Sequence, residues 1–183
     1  YLDKVAPFMG KDIIKVLVGQ RRVGKSYLLL QIMDELKRRG VKKDRIIYLN
    51  KELNEFDGIA NYTDLLSYVR KKAPGRGKIS LFIDEIQEID RFEKALSSLQ
   101  ARGGYDIYCT GSNADLLSGE LATRLSGRYV EIKVFGLSFM EFLDFHKLKN
   151  DKEAFIKYIR FGGLPYLINL RLEDEIAYDY LKN

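Results

Sequence analysis

Ile13-Ile14-Lys15-Val16-Leu17-Val18-Gly19-Gln20-Arg21-Arg22-Val23-Gly24-Lys25-Ser26-Tyr27 runs from an apolar segment, through a polar loop bounded by glycines, into a helical pattern. Ile13 to Val18 reads as a short buried strand and Lys25 to Arg38 as a helix. The loop between them fits G-x-x-x-x-G-K-[ST], and it lies between strand and helix as that motif requires. Glycines let the backbone curl so that several N–H groups point inward. The helix that follows turns its positive end to the same point, so the loop is expected to hold a phosphate chain. Lys25 then reaches the β- and γ-phosphates as a point charge, and the Ser26 hydroxyl coordinates Mg²⁺. The expected nucleotide-binding run is Gly19, Gln20, Arg21, Arg22, Val23, Gly24, Lys25, Ser26 and Tyr27. Arg21 and Arg22 have three open roles, toward phosphate, a partner or solvent.

On either side, strand-like runs alternate with helical ones. Ile46 to Leu49, Ile79 to Ile83, Asp106 to Thr110 and Tyr129 to Val134 read as further strands, giving five with the first. Tyr62 to Lys72 and Arg91 to Gln100 read as helices. Strands that are apolar throughout belong to a parallel sheet covered on both faces, so the class is three-layer α/β. Gly40, Pro74-Gly75-Arg76-Gly77 and Gly103-Gly104 follow predicted helices, where caps and loops belong. After Val134 the rhythm turns helical over Ser138 to His146, Asp151 to Phe161 and Glu173 to Leu181, broken by Gly162-Gly163-Leu164-Pro165. The expected division is residues 1–135 as the core domain and 136–183 as a small helical appendage.

The run Ile79-Ser80-Leu81-Phe82-Ile83 ends in Asp84-Glu85. A parallel strand delivers such a pair to the sheet's C-terminal edge, where open α/β sheets bind ligands. Beside a phosphate loop, Asp84 is the expected Mg²⁺ partner and Glu85 the group that polarises an attacking water, with Glu88 as the alternative base. Gly111-Ser112-Asn113 after the fourth strand has two open roles: contact with water or the γ-phosphate, or a cap for the helix Ala114 to Leu117. Arg124 and Arg128 flank Leu125-Ser126-Gly127. Either could act as an arginine finger, within the chain or toward a neighbouring copy. The expected catalytic set is Lys25, Glu85, Asn113 and Arg128.

Composition narrows the field. Hydrophobic residues make up 46% and charged residues 31% of 183, which is the usage of a conventional folded domain rather than of a disordered or fibrous chain. One cysteine and one histidine leave no disulfide framework and no Cys/His zinc site. Cys109 sits in an apolar run and reads as a small core residue. No run is long enough to cross a bilayer, and a reducing cytoplasm is the expected compartment. The start, Tyr1-Leu2-Asp3-Lys4, has no initiator Met and reads as a piece of a longer polypeptide. Net charge is +5, with the excess in Lys37 to Arg45 and Arg70 to Lys78. These stretches permit a nucleic-acid partner, but without interleaved aromatic residues they read first as solvated edges.

Taken together, these motifs resemble prokaryotic AAA-like P-loop ATPases of the additional-strand branch. The resemblance spans most of the chain. It rests on Tyr1-Leu2-Asp3-Lys4, Ile14-Lys15-Val16, Gly19 to Ser26, Ile83-Asp84-Glu85-Ile86-Gln87, Thr110-Gly111-Ser112-Asn113, Leu125-Ser126-Gly127-Arg128 and Gly162-Gly163-Leu164-Pro165. It implies a five-stranded sheet in the order 5-1-4-3-2, a helical lid after the fifth strand, ATP as ligand, and a second domain beyond this stretch. A protein or nucleic-acid partner and a homo-oligomer are in keeping with it. Three functions fit these residues: an Mg²⁺-dependent ATPase, an ATP-holding switch without appreciable hydrolysis, and a nucleic-acid-binding module regulated by ATP. The acidic pair at the strand end and the polar tip beyond the fourth strand favour hydrolysis over transfer to a small molecule.

Overall fold

Five apolar runs pair side by side, all in one direction, because each is too apolar to leave either face in water. In a computed structural model, which describes residues 1–73, 75, 77–112, 125–170 and 181–182, the strands are β1 Ile14–Val18, β2 Ile46–Asn50, β3 Ile79–Asp84, β4 Tyr105–Gly111 and β5 Tyr129–Lys133. Their order across the sheet is β2-β3-β4-β1-β5, the expected order viewed from the opposite edge. β1 and β3 are buried along their whole length. β2 and β5 close the sheet on either side and alternate or thin out in burial, as edge strands do.

The helices are α1 Leu2–Val5, α2 Lys25–Arg38, α3 Tyr62–Lys72, α4 Phe92–Arg102, α5 Phe139–His146 and α6 Lys152–Phe161. The described chain divides into two compact units, Tyr1–Gly19 with Lys25–Lys133, and Gln20–Gly24 with Val134–Asn183.

In the first unit, side chains alternate across the sheet and separate two layers of core. One face carries Val16, Val18, Leu81, Ile83, Ile107 and Cys109 against Leu65 and Val69 of α3 and Leu96 and Leu99 of α4. The other carries Lys15, Ser80, Phe82, Asp106 and Tyr108, and α2 lies against β3 and β4. Phe82 and Tyr108 stack there with centroids 4.6 Å apart. Cys109 is fully enclosed, and burial pushes its thiol up to about 12. That chemistry is inert, as expected for a core residue.

The second layer also holds a buried charge. Lys15 is fully buried and paired with Asp106, whose carboxylate accepts from the Tyr108 hydroxyl at 2.8 Å and from the Gly10 N–H at 3.0 Å. Burial lowers the Lys15 pKa and the Asp106 charge opposes that shift. A buried cation is tolerated only when paired and hydrogen-bonded. This cluster pins the N-terminal segment to the strand starts, leaving the opposite edge for chemistry.

In the second unit, α5 opens on a capping box between Ser138 and Glu141, and α6 on Asp151, which accepts from the Ala154 N–H at 2.8 Å. Phe139 meets Phe155 edge-on at 5.3 Å, and the Tyr158 hydroxyl donates to the Leu137 carbonyl at 3.0 Å. Phe155, Ile156 and Ile159 on α6 remain exposed. The glycines flagged in the sequence have a geometric cause. Gly162 ends α6 at φ +75°, and the Leu137 N–H donates to the Gly163 carbonyl at 2.6 Å. A Cβ on Gly136 would stand 2.8 Å from the Gly163 carbonyl oxygen, and one on Gly163 would collide with the Leu137 backbone. Two main chains therefore cross where no side chain fits. The expected helix Glu173 to Leu181 falls mainly on residues 171–180, outside the described residues.

Because the obstacle at Gly163 is backbone rather than a movable side chain, Gly163→Ala is expected to cost at least about 1–3 kcal/mol. Gly58→Ala, where an added Cβ meets nothing within 4 Å, is expected to cost little. Thermal unfolding of the two variants beside the parent checks the contrast.

Candidate functional site

The site begins where β1 stops. Gly19 follows Val18, Lys25 opens α2, and five residues lie between them. Two of those adopt positive φ, Arg22 at 68° and Gly24 at 96°. Alternating such residues with ordinary ones curls a backbone until its N–H groups converge. Gly24 is required for this dihedral and not for space, since an added Cβ would stand a normal 3.9 Å from the Pro165 side chain. Arg22 pays about 1 kcal/mol or more for a left-handed conformation without glycine, a cost met where the surroundings dictate the backbone. Val23 is buried, while Gln20, Arg21 and Arg22 face outward.

Lys25 is 4% exposed, and its Nζ donates to the Gly19 carbonyl at 3.1 Å. The ammonium thus ties the residue after the loop to the residue before it. Ser26 is half-buried on the first turn of α2, where backbone N–H groups lack helical partners. Tyr27 is 75% exposed.

At the same sheet edge β3 ends in Asp84, fully buried, with both carboxylate oxygens engaged. The Thr110 hydroxyl donates to Oδ1, and the Tyr48 hydroxyl lies 3.5 Å from Oδ2, at the limit of a hydrogen bond. Burial first, and the Asp84 charge second, push the Tyr48 phenol up to about 12. Tyr48 therefore stays protonated and able to donate at neutral pH. The Thr110 oxygen also accepts from the Glu85 N–H at 3.0 Å. One hydroxyl thereby fixes both acids. Glu85 itself turns at φ 54°, ψ 56°, left-handed for a residue with a side chain, and this bend carries its half-buried carboxylate away from the strand direction. Gln87 donates from Nε2 to Glu85 Oε2.

Asp84, Glu85, Lys25 and Ser26 thus belong to elements meeting at the C-terminal edge of one sheet. The other expected residues are placed differently. Glu88 is exposed. Asn113 and Arg124 lie outside the described residues. Arg128 comes just before β5, and its carbonyl accepts from the Ile14 N–H at 3.0 Å at the start of β1. In a parallel sheet that is the edge opposite Asp84, a strand of about 17 Å away at about 3.3 Å per residue. The Arg128 backbone thus stands at the strand starts, away from Asp84 of the same chain. Of the basic stretches, Lys37 pairs with Asp34, and Arg38 and Arg39 pair with Glu35.

Thr110, Tyr48 and Gln87 were not singled out as functional from sequence. A hydroxyl just before the polar tip was a visible signal for Thr110. Tyr48 had none, because only the pairing of β2 with β3 brings it to Asp84.

Among the described residues no group of three or more His, Cys, Asp or Glu could hold a metal. The donors present, one carboxylate and one hydroxyl, nevertheless suit a hard cation that keeps waters and takes its remaining ligands from phosphate. Each carboxylate oxygen retains lone-pair capacity beyond the bonds described.

The strand order, the glycine loop ahead of α2 and the acidic end of β3 define a three-layer P-loop ATPase fold. The family profile described as "AAA domain" matches residues 11–143, and the chain belongs to that family. It is 42% identical over 175 residues to an uncharacterized protein of Haemophilus influenzae, covering 92% of this chain and 43% of that protein. It is 36% identical over 203 residues to an uncharacterized protein of Methanocaldococcus jannaschii, covering 98% of this chain and 44% of that protein. The chain spans less than half the length of these relatives. Among solved structures it is similar to the S. cerevisiae Hsp104–ADP complex at 16% identity and TM-score 0.58, covering 92% of this chain and 28% of that one. Cdc6p of Pyrobaculum aerophilum gives 14% and 0.56, covering 99% and 57%. AMPPCP-bound DnaA of Aquifex aeolicus gives 16% and 0.54, covering 92% and 56%. No helix among the described residues is long and apolar enough to cross a membrane.

Removing the Thr110 hydroxyl leaves a buried Asp84 oxygen and the Glu85 N–H without their partner. Thr110→Val is therefore expected to lose about 1–3 kcal/mol of stability in denaturant titrations, and Thr110→Ser, which keeps the hydroxyl, clearly less.

Proposed function

We propose that this domain binds ATP with Mg²⁺ and hydrolyses the β–γ phosphoanhydride, with nucleotide state passed on to a partner or to further residues of the same polypeptide. The observation that carries this reading is the pair of acids at the end of β3, held by a single hydroxyl at the edge where the phosphate loop begins. Gly19 to Gly24 would present backbone N–H groups to the phosphates, Lys25 would neutralise charge on the β- and γ-phosphates, and Tyr27 would border the nucleotide. Ser26 and Asp84 would hold the metal, which supplies charge neutralisation at the transferring phosphoryl group. Glu85 would accept a proton from the attacking water while that water bonds to phosphorus and the β-phosphate leaves.

Several supports are independent of one another. DnaA is described in its AMPPCP-bound form and Hsp104 with ADP, so the fold accommodates adenine nucleotides elsewhere. Asn113 would be a second group orienting the water, and Arg128 would serve the nucleotide of a neighbouring copy, which makes a homo-oligomer part of the proposal. The relatives' additional length and the exposed apolar side chains on α6 support coupling to something beyond this stretch. Lys37 to Arg45 and Arg70 to Lys78 make nucleic acid one partner to test.

Phosphate release by the full-length protein and its Glu85→Gln variant, with and without DNA, is the decisive measurement. The variant is expected to lose about a hundredfold or more in kcat while keeping its affinity for ATP. Equal release by the two proteins in every condition would replace hydrolysis with a nucleotide-holding switch. Lys25→Ala is expected to abolish the calorimetric signal with ATP and magnesium in a protein that still unfolds cooperatively.

A further inference from the structure

Gln87 is not part of the phosphate loop or the acidic pair, yet its side chain ends on the carboxylate proposed to activate water. Its Nε2 donates to Glu85 Oε2, while its own Oε1 is buried without a hydrogen-bond partner. The direction of this bond is fixed by chemistry. A carboxylate can only accept, so the amide must turn its NH₂ group toward Glu85 and its carbonyl away. Among the described residues the carbonyl then has no donor.

An unsatisfied buried carbonyl lowers stability, and an apolar side chain of similar volume would remove that cost while giving up the bond to Glu85. Gln87 lies between the buried Ile86 and the exposed Glu88 and is itself half-buried. Its amide is thus poorly satisfied as packing and apt for gripping Glu85. The grip matters because Glu85 leaves β3 through a left-handed bend at φ 54°, which sets the backbone but leaves the side-chain rotamers open. With Oε2 held, those rotamers are fixed. The remaining oxygen, Oε1, has no partner among the described residues and stays available to a water.

We infer that Gln87 is a positioning residue for the proposed hydrolysis: its amide orients the Glu85 carboxylate by one oxygen and so presents the other to the attacking water. This rests on the function proposed above and deepens it by naming how the base is aimed. Gln87 does not touch nucleotide or water itself. It acts through Glu85 alone.

The test is a set of variants in the full-length protein: Gln87→Leu, Gln87→Met, Glu85→Gln, and Gln87→Leu combined with Glu85→Gln. Steady-state phosphate release gives kcat and KM, and thermal unfolding gives Tm. Gln87→Leu is expected to lower kcat by roughly tenfold to a hundredfold, with KM for ATP unchanged and Tm near that of the parent. In the double variant the loss should be no greater than with Glu85→Gln alone, because nothing is left to aim. A structural residue would behave otherwise: both Gln87 variants would lose Tm, or the losses would multiply, and either result overturns the assignment. Unchanged kcat in Gln87→Leu, while Glu85→Gln is impaired, overturns it and leaves the hydrolase standing. If Glu85→Gln is itself unimpaired, the proposed hydrolysis fails first and the inference with it.

Discussion

A parallel sheet buried on both faces has one place for polar chemistry, and that is where its strands end. Helices cover both surfaces here, so β1 and β3 cannot carry a solvated acid along their length. Asp84 is accommodated because it is the last residue of β3 and meets the hydroxyls of Thr110 and Tyr48. The same rule puts Gly19 at the end of β1 and Thr110 near the end of β4 along that edge. The opposite edge is consumed by the Lys15–Asp106 cluster, which anchors the chain's first residues. The two ends of one sheet thus divide the labour: one edge holds the fold's starting segment and the other holds the candidate site.

Left-handed backbone occurs at both parts of the candidate site. Four described non-glycine residues have positive φ, and two of them, Arg22 and Glu85, belong to the candidate site. Left-handed backbone at such residues persists only when neighbouring interactions dictate it. For Glu85 those interactions are visible: its N–H is taken by Thr110 and its carboxylate by Gln87. Buried polar networks of this kind are expensive when half-satisfied, and the unpartnered carbonyl of Gln87 is such an expense.

Most of this was legible in the sequence for identifiable reasons. The helices Lys25–Arg38 and Tyr62–Lys72 coincide with their expected bounds because turn residues mark their ends. All five strands were legible because apolar runs in a covered sheet have no competing explanation. What could not be read is whatever depends on pairing across the sheet. Tyr48 reaches Asp84 only because β2 lies beside β3, and no spacing along the chain encodes that distance. Which edge Arg128 occupies is likewise invisible along the chain, and shows only once β5 pairs with β1 and sets it at the strand starts. The glycines at 162 and 163 were legible as a break, but their cause, a crossing of two main chains, was not.

The grouping of the loop gives the proposed coupling a physical basis. Gln20–Gly24 belong to the same compact unit as the segment from Val134 onward. Within that unit Gly24 has Pro165 as its neighbour, immediately beyond the glycine pair that locks residues 136–137 to residue 163. A phosphate chain held by the loop would fix the dihedrals at Arg22 and Gly24, because convergent N–H groups can serve an anion only in that curl. Fixing them would also fix the Gly24 backbone that the Pro165 ring approaches. Since the crossing at Gly163 leaves no room for a Cβ, it has little slack to absorb a displacement, and a change at the loop would be passed along the chain rather than dissipated. Nucleotide and helical segment would then respond to each other with equal free energy, as linkage requires of two groups acting on one element.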